Sequence, residues 1–295
     1  SVTSLTLASA TSFPSSGTVI IGAELITYSS KSGNTLSGLT RGTSGTTAAI
    51  HSSGAQVIDA ATYAGFGAAS SGDIITAPGM WSLDNFGNKL IATIFSGETF
   101  TWSSDATDAT ATRAVLASGT PTASRDMLVS TPDRHLVFFG TETTIGTKSS
   151  QDQMFIRFSS QEDITDYTPT ATNSAGTQRL ADGSRIMGAL RGRNAIYVWT
   201  DTALFLMRFV GAPFTFAFEQ VGTNCGLIGK NAAVEVDGTV YWMSENGFFR
   251  YGGQLESLPC LVEDFVFDDI NLTPKQHINA GLNNLFGEIN WFYVS

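Results

Sequence analysis

From Met80 onward the chain repeats one pattern: a polar turn, a short apolar run, a second turn and another apolar run. The leading runs are Leu90-Ile-Ala-Thr-Ile94, Leu136-Val-Phe-Phe139, Ile196-Tyr-Val-Trp199, Val240-Tyr-Trp-Met243 and Ile289-Asn-Trp-Phe-Tyr293, each preceded by turn formers such as Asn85-Phe-Gly-Asn88 or Asp237-Gly238. Partner runs follow in at least four of the five: Thr99-Phe-Thr-Trp102, Met154-Phe-Ile-Arg-Phe158, Ala203-Leu-Phe-Leu-Met-Arg-Phe209 and Phe248-Phe-Arg-Tyr251. β-Branched and aromatic residues bounded by such turns read as strands in hairpins. The stretch Gly238 to Tyr251 carries the plan in full, folding back at Glu245-Asn-Gly247, where Asn and Gly tolerate positive φ.

The leading runs start at 90, 136, 196, 240 and 289, hence 46, 60, 44 and 49 residues apart. Propeller blades recur every 40 to 50 residues or so, each a small antiparallel sheet that buries its faces only against its neighbours. The pattern predicts an all-β chain with about five β-propeller blades over residues 80–295, in which Gly238 to Tyr251 is the inner pair of one blade. The long interval holds a polar insertion, residues 161–183, expected as a surface loop. One segment breaks the pattern. Leu261, Phe265 and Ile270 share a helical face, so a short amphipathic helix is expected near 261–270.

Residues 1–62 form a different unit, rich in Ser, Thr and Gly, with strands at Gly17-Thr-Val-Ile-Ile-Gly22, Ala23-Glu-Leu-Ile-Thr-Tyr28 and Thr35-Leu-Ser-Gly-Leu39 and a glycine-bearing loop over Arg41 to Thr47. Residues 63–79, with Gly65-Phe-Gly-Ala-Ala-Ser-Ser-Gly72, read as a linker. Ser1 is not an initiator Met and Trp291 to Ser295 reads as an interrupted strand, so the chain is expected to belong to a longer protein.

Composition supports the strand reading: the 295 residues are 42% hydrophobic and only 14% charged, without a helix-forming Ala/Glu/Lys/Leu tract. The net charge of −10 argues against a surface that clasps nucleic-acid phosphates. Cys225 and Cys260 are too few for a disulfide framework and read as free thiols rather than a bridge. No apolar run reaches the roughly 20 residues needed to cross a bilayer as a helix.

Candidate chemistry is sparse. His51, His135 and His277 are far apart, with His135 expected at a turn or strand edge and His277 at the surface. No nucleophile elbow, phosphate-binding Gly-rich loop or zinc-hydrolase segment occurs. Glycan cleavage needs two converging carboxylates, for which Glu162, Asp163, Asp166, Glu263, Asp264, Asp268 and Asp269 are the candidates. The first three fall in the insertion and the others on the expected outer face of the helix. Arg185, Arg191 and Arg193 cluster in sequence and suit an anionic partner, though arginines flanking a turn in an acidic chain more simply face solvent or a neighbouring acidic subunit. The five Trp, about one per repeat, read as packing between blades.

Two stretches resemble known families. Phe13 to Tyr28, with Gly33 to Gly42 and Gly45 to His51, resembles a small β-module of many bacteriophage tail and virion proteins. Phe265-Val-Phe-Asp-Asp-Ile-Asn271 with Asn284-Leu-Phe-Gly-Glu-Ile-Asn-Trp-Phe-Tyr293 is similar to the propeller of tail nozzle or hub proteins of short-tailed phages, also called tubular or DNA-stabilisation proteins. The resemblance implies a non-enzymatic virion protein without cofactor or metal, assembled in the host cytoplasm into a hexameric ring below portal and adaptor. DNA would pass through the ring without specific binding, and tail-fibre or needle proteins would attach to it. It implies no active site and no membrane insertion. Two other functions stay open: a propeller that binds or cleaves host glycans, and a tail-fibre attachment protein.

Overall fold

A computed structural model describes residues 3–60, 80–103, 114–131 and 133–295. The chain divides into two units, Ser1–Thr76 and Ala77–Ser295. The linker expected over 63–79 lies outside the described residues.

In the first unit β1 (Ser4–Thr6), β2 (Gly17–Ile21), β3 (Glu24–Tyr28), β4 (Ser30–Ser32), β5 (Thr35–Ser37) and β6 (Ile58–Asp59) form two three-stranded antiparallel sheets, β1-β5-β4 and β3-β2-β6. Alternation places Val19, Ile21, Ile26 and Tyr28 on one face, and they close over Leu36 and Ala10 as a small core. Thr27 bridges Thr40, and the Thr43 N–H donates to the Leu25 carbonyl, so the loop expected over Arg41 to Thr47 lies along β3.

The second unit is nearly all β. Four four-stranded antiparallel sheets follow one another along the chain. The first holds β7 (Trp81–Phe86), β8 (Lys89–Ile94), β9 (Thr99–Ser103) and β10 (Val115–Leu116). β11 (Asp126–Val129), β12 (Leu136–Phe139), β13 (Phe155–Phe158) and β14 (Gly176–Arg179) make the second. The third contains β15 (Ile186–Arg191), β16 (Ile196–Thr200), β17 (Ala203–Gly211) and β18 (Thr215–Thr223), and the fourth β19 (Ala233–Val236), β20 (Thr239–Ser244), β21 (Gly247–Tyr251) and β22 (Leu255–Leu258). A fifth sheet has two strands, β23 (Asn279–Asn283) and β24 (Glu288–Phe292). The first strands of successive sheets lie against each other: β7 on β11, β11 on β15, β15 on β19 and β19 on β23. First strands gathered on a common axis, with last strands at the rim, make these sheets the blades of a β-propeller.

The core is the set of layers between blades, as a propeller requires. Phe86 and Ile91 pack on Met127, Leu136 and Phe138 between the first and second blades. Val137, Phe139 and Ile156 meet Ile186, Ile196, Val198 and Phe205 between the second and third. Trp199 and Leu204 meet Val240, Trp242 and Met243 between the third and fourth, with Ile278 and Trp291 extending this layer to the fifth. Turn chemistry fixes the pairing at β19–β20, where Asp237 (φ 49°) and Gly238 (φ 84°) form a two-residue loop between Val236 and Thr239. Both central residues in the left-handed region match the twist of a tight hairpin.

Several expectations are corrected. Gly238 to Tyr251 spans the middle two strands of its blade, because β19 precedes it on the axis. Residues 161–183 are not all surface loop: Gly176–Arg179 is the rim strand of the second blade, and Tyr167 is buried against Phe138. The Arg157 guanidinium holds that segment down by donating to the carbonyls of Tyr167 (3.0 Å) and Thr143 (2.8 Å). A helix, α1 (Glu263–Asp269), is present, but it turns Val266 and Phe267 to the core and leaves Leu261 and Phe265 exposed. Trp199 and Trp242 do pack between blades, 5.6 Å apart, whereas Trp81 is half exposed. Cys225 is buried and Cys260 half-buried, both as free thiols, and burial pushes the Cys225 thiol up to about 11.

Candidate functional site

The propeller axis is polar, and its polar groups bind the blades to one another. Asp126, the first residue of β11, is buried. Its Oδ1 accepts from the Ser82 hydroxyl of the first blade (2.8 Å) and from Lys230 Nζ, which precedes the fourth (3.0 Å), and its Oδ2 from the Ala189 N–H of the third (3.0 Å). One carboxylate thus joins four blades. A parallel arrangement lies nearby: Asp84 accepts from the Val129 N–H (2.8 Å) and from Arg191 Nη2 (3.1 Å), while Arg191 Nη1 donates to the Val129 carbonyl (2.7 Å).

Beside this junction opens a cavity of about 510 Å³, lined among others by Met80, Arg125, Arg185, Lys230, Lys275 and His277. Each blade contributes the residues just ahead of its first strand: Met80 before β7, Arg125 before β11, Arg185 before β15, Lys230 before β19, Lys275 and His277 before β23. Close backbone approach makes this geometry, since a Cβ at Gly229 would lie 2.2 Å from the Lys275 carbonyl oxygen and one at Gly188 2.8 Å from that of Lys230.

Among the described residues no Asp or Glu lines the cavity. Its cations differ in how far they are neutralised. Lys230 is paired with Asp126, and Lys275 with Glu245. Arg125 donates to the Ile186 carbonyl (2.6 Å) and Gln153 Oε1 (2.9 Å) and lies over the Phe95 ring, 5.0 Å from its centroid. Burial first, and then the positive charge of Arg185, push the Arg125 guanidinium below its ordinary range, with Asp201 and Asp126 partly opposing. The Arg185 side chain has no hydrogen bond or ion pair among the described residues, and its Nε is buried without a partner. At that nitrogen an oxyanion can be bound at reduced desolvation cost, because Nε is already out of contact with water.

The other expected positions are dispersed. Arg185, expected to face solvent or another subunit, lies instead in the cavity, because the Ser184 N–H and hydroxyl are held by Asp201 and fix the approach to β15. Arg191 is committed to Asp84 on the axis, and Arg193 is exposed at the β15–β16 turn. Asp264, Asp268 and Asp269 are exposed on α1, and Asp269 accepts from the Tyr293 hydroxyl (3.2 Å); Glu263 is half-buried, close to Gly247. Glu162 pairs with Arg134, Asp163 caps the Thr165 N–H and Asp166 accepts from Asn173. His135 lies at the turn directly before β12, as expected, but it is fully buried there, its Nδ1 2.7 Å from the Ser159 carbonyl and its ring 5.2 Å from that of Phe216. Among the described residues no three His, Cys, Asp or Glu gather as a metal site. Arg125 and Lys275 escaped the sequence reading. The spacing of basic residues at 125, 185, 230 and 275 was the available signal.

No protein-family model and no curated protein matches the sequence. Among solved structures the chain is similar to the AfRom2 CNH domain, with a TM-score of 0.41 and 12% identity over 70% of this chain and 62% of that one. It is also similar to BamB from Moraxella catarrhalis, with a TM-score of 0.35 and 14% identity over 85% of this chain and 60% of that one. The chain therefore spans less than two thirds of either, and the propeller assignment rests on the sheet topology itself.

Proposed function

We propose that this chain is a structural virion protein: a ring-forming subunit of the tail nozzle or hub of a short-tailed bacteriophage, set below portal and adaptor. It forms part of the DNA exit channel and a platform for other tail proteins. The two resemblances in sequence support the reading, and one structural observation carries it. Among the described residues, the first and last sheets each have a face that no other sheet of the second unit covers. Trp81 and Leu83 stand exposed on β7, opposite the face that packs on the second blade, and Phe292 is exposed on β24. The two surfaces differ, the first sheet's being apolar and the last sheet's setting Phe292 among Asn279, Asn283, Glu288 and Asn290. Two different surfaces on one subunit are the requirement for head-to-tail contacts that close into a ring.

The acidic balance of the chain suits a conduit, because every phosphate a protein neutralises strengthens its hold on DNA. The carboxylates on the axis are engaged by neighbouring donors, which suits a scaffold better than glycan cleavage by a free acid pair. Native mass spectrometry and electron microscopy of the purified chain test the proposal. Closed rings of defined number, and the chain located in tails below the adaptor, are expected. A strictly monomeric chain absent from tail particles overturns it.

A further inference from the structure

We propose that the axial cavity is a binding site for an oxyanion, a phosphate or carboxylate group, with Arg185 as its principal ligand and Arg125 beside it. This goes beyond the nozzle reading and does not depend on it.

The argument starts from the repeat. Four successive blades each place a cation in the turn that leads into the strand on the axis, directly before the strand for Arg125 and Arg185 and within the preceding turn for Lys230 and Lys275, so the four converge on one cavity. Like charges brought together in a half-buried space repel unless counter-charges are supplied. The fold supplies them for two of the four: Asp126 meets Lys230 and Glu245 meets Lys275. Arg125 spends its bonds on neutral acceptors, the Ile186 carbonyl and Gln153. Arg185 has neither a charged nor a neutral partner among the described residues, and its Nε is out of contact with solvent. The Arg185 backbone N–H lies 3.5 Å from Asp201 Oδ1, but that carboxylate is taken by the N–H and hydroxyl of Ser184. The chain carries net negative charge overall, and yet among the described residues none that lines this cavity is acidic. A guanidinium presents a planar fork of N–H donors that matches two oxygens of a phosphate or carboxylate, and the cavity, at about 510 Å³, admits a group of that size with room for the molecule that carries it.

The test uses the full chain at constant ionic strength, titrated with inorganic phosphate in one arm and citrate in another, against chloride, by calorimetry and thermal melting. Saturable binding of at least one oxyanion is expected, and the stronger arm separates phosphate from carboxylate chemistry. Arg185→Gln should weaken binding at least tenfold. Arg208→Gln, which alters an exposed residue paired with Glu219 on the rim, should leave it unchanged. In chloride the Arg185→Gln protein should melt no earlier than the parent, since the substitution removes repulsion of Arg125 and breaks no bond. A second readout needs no variant: the bound anion should protect Arg185, and not Arg208, from phenylglyoxal, read by peptide mass. No saturable binding in either arm, equal affinity in Arg185→Gln, or absence of protection at Arg185 overturns the proposal.

Discussion

Glu24 shows how one side chain secures a segment without regular structure. Its carboxylate is buried beneath the loop that follows β5, where Arg41 donates through Nε (2.5 Å) and Nη2 (2.6 Å), the backbone N–H groups of Gly42 (3.1 Å) and Ala49 (3.0 Å) add two more bonds, and His51 Nε2 lies 2.7 Å away. The Arg41 hydrogen bond, against the opposing effect of burial, holds the Glu24 carboxyl well below a glutamate's ordinary 4.5. A group whose pKa is depressed on folding stabilises the fold above its unfolded value and loses that contribution as pH falls toward the folded one. Protection of the Gly42 and Ala49 amides from hydrogen exchange should therefore hold at pH 6 and decline progressively below about pH 4.5. Glu24→Gln should lower the protection of the same amides at pH 6, a loss of about 2 kcal/mol for charged hydrogen bonds replaced by neutral ones, and the difference from the parent should shrink as pH falls below about 4.5. Unchanged protection in that variant would show that the loop is held by something else. His51 and Arg41 stood in the sequence as unremarkable loop residues, because the contact between positions 24, 41 and 51 exists only once β3 and the loop lie side by side.

Among the elements, the middle strands of each blade were legible in the sequence and the outermost ones were not. β12, β16 and β20 and their partners β13, β17 and β21 are covered on both faces by neighbouring blades, and so they read as apolar runs, while β8 and β9 are covered on one face and are apolar on the other as well. The axial strands carry Ser82, Asp84 and Asp126 in place of an apolar alternation, and the rim strand β14 is Gly-Thr-Gln-Arg, which has no period at all. The axial cavity was hidden for the same reason: its cations sit in the turns, one per blade, and mean nothing until the blades converge. Asp126 tests whether the axial strands need their polar junction. In Asp126→Asn the amide keeps one acceptor oxygen, which can serve the Ser82 and Lys230 side or the Ala189 side, while the NH₂ group meets a donor on the other. Lys230, only 11% exposed at its side chain, would be left as a charge without its partner, at a cost of roughly 3 kcal/mol. The urea midpoint should fall accordingly. A midpoint within error of the parent would mean that the blades are held by their apolar layers alone. Gly188→Ala acts on the same contact through the backbone, because the new Cβ would lie 2.8 Å from the Lys230 carbonyl oxygen and 3.2 Å from its Cα. Overpacking of this kind should destabilise by about 1 to 3 kcal/mol in the same assay.

For the whole molecule the decisive question is whether the uncovered faces of the first and last sheets meet in neighbouring copies. Leu83 is 62% exposed and Phe292 65% exposed, and each lies opposite the face by which its sheet packs on the neighbouring blade. If the contact is head-to-tail, the Leu83 face of one subunit meets the Phe292 face of the next, and a charge on either face stops the series. Leu83→Asp alone and Phe292→Asp alone should both be monomers, with melting temperatures close to the parent, since neither side chain is in the core. An equimolar mixture behaves differently, because the first variant retains an intact Phe292 face and the second an intact Leu83 face. The mixture should form dimers and nothing longer, as read by light scattering. A self-complementary contact gives another outcome: each variant alone would still pair through its unaltered face, and mixing would add nothing. Dimers that appear only on mixing thus identify a heterologous interface, the kind that closes into a ring when the rotation between copies is right.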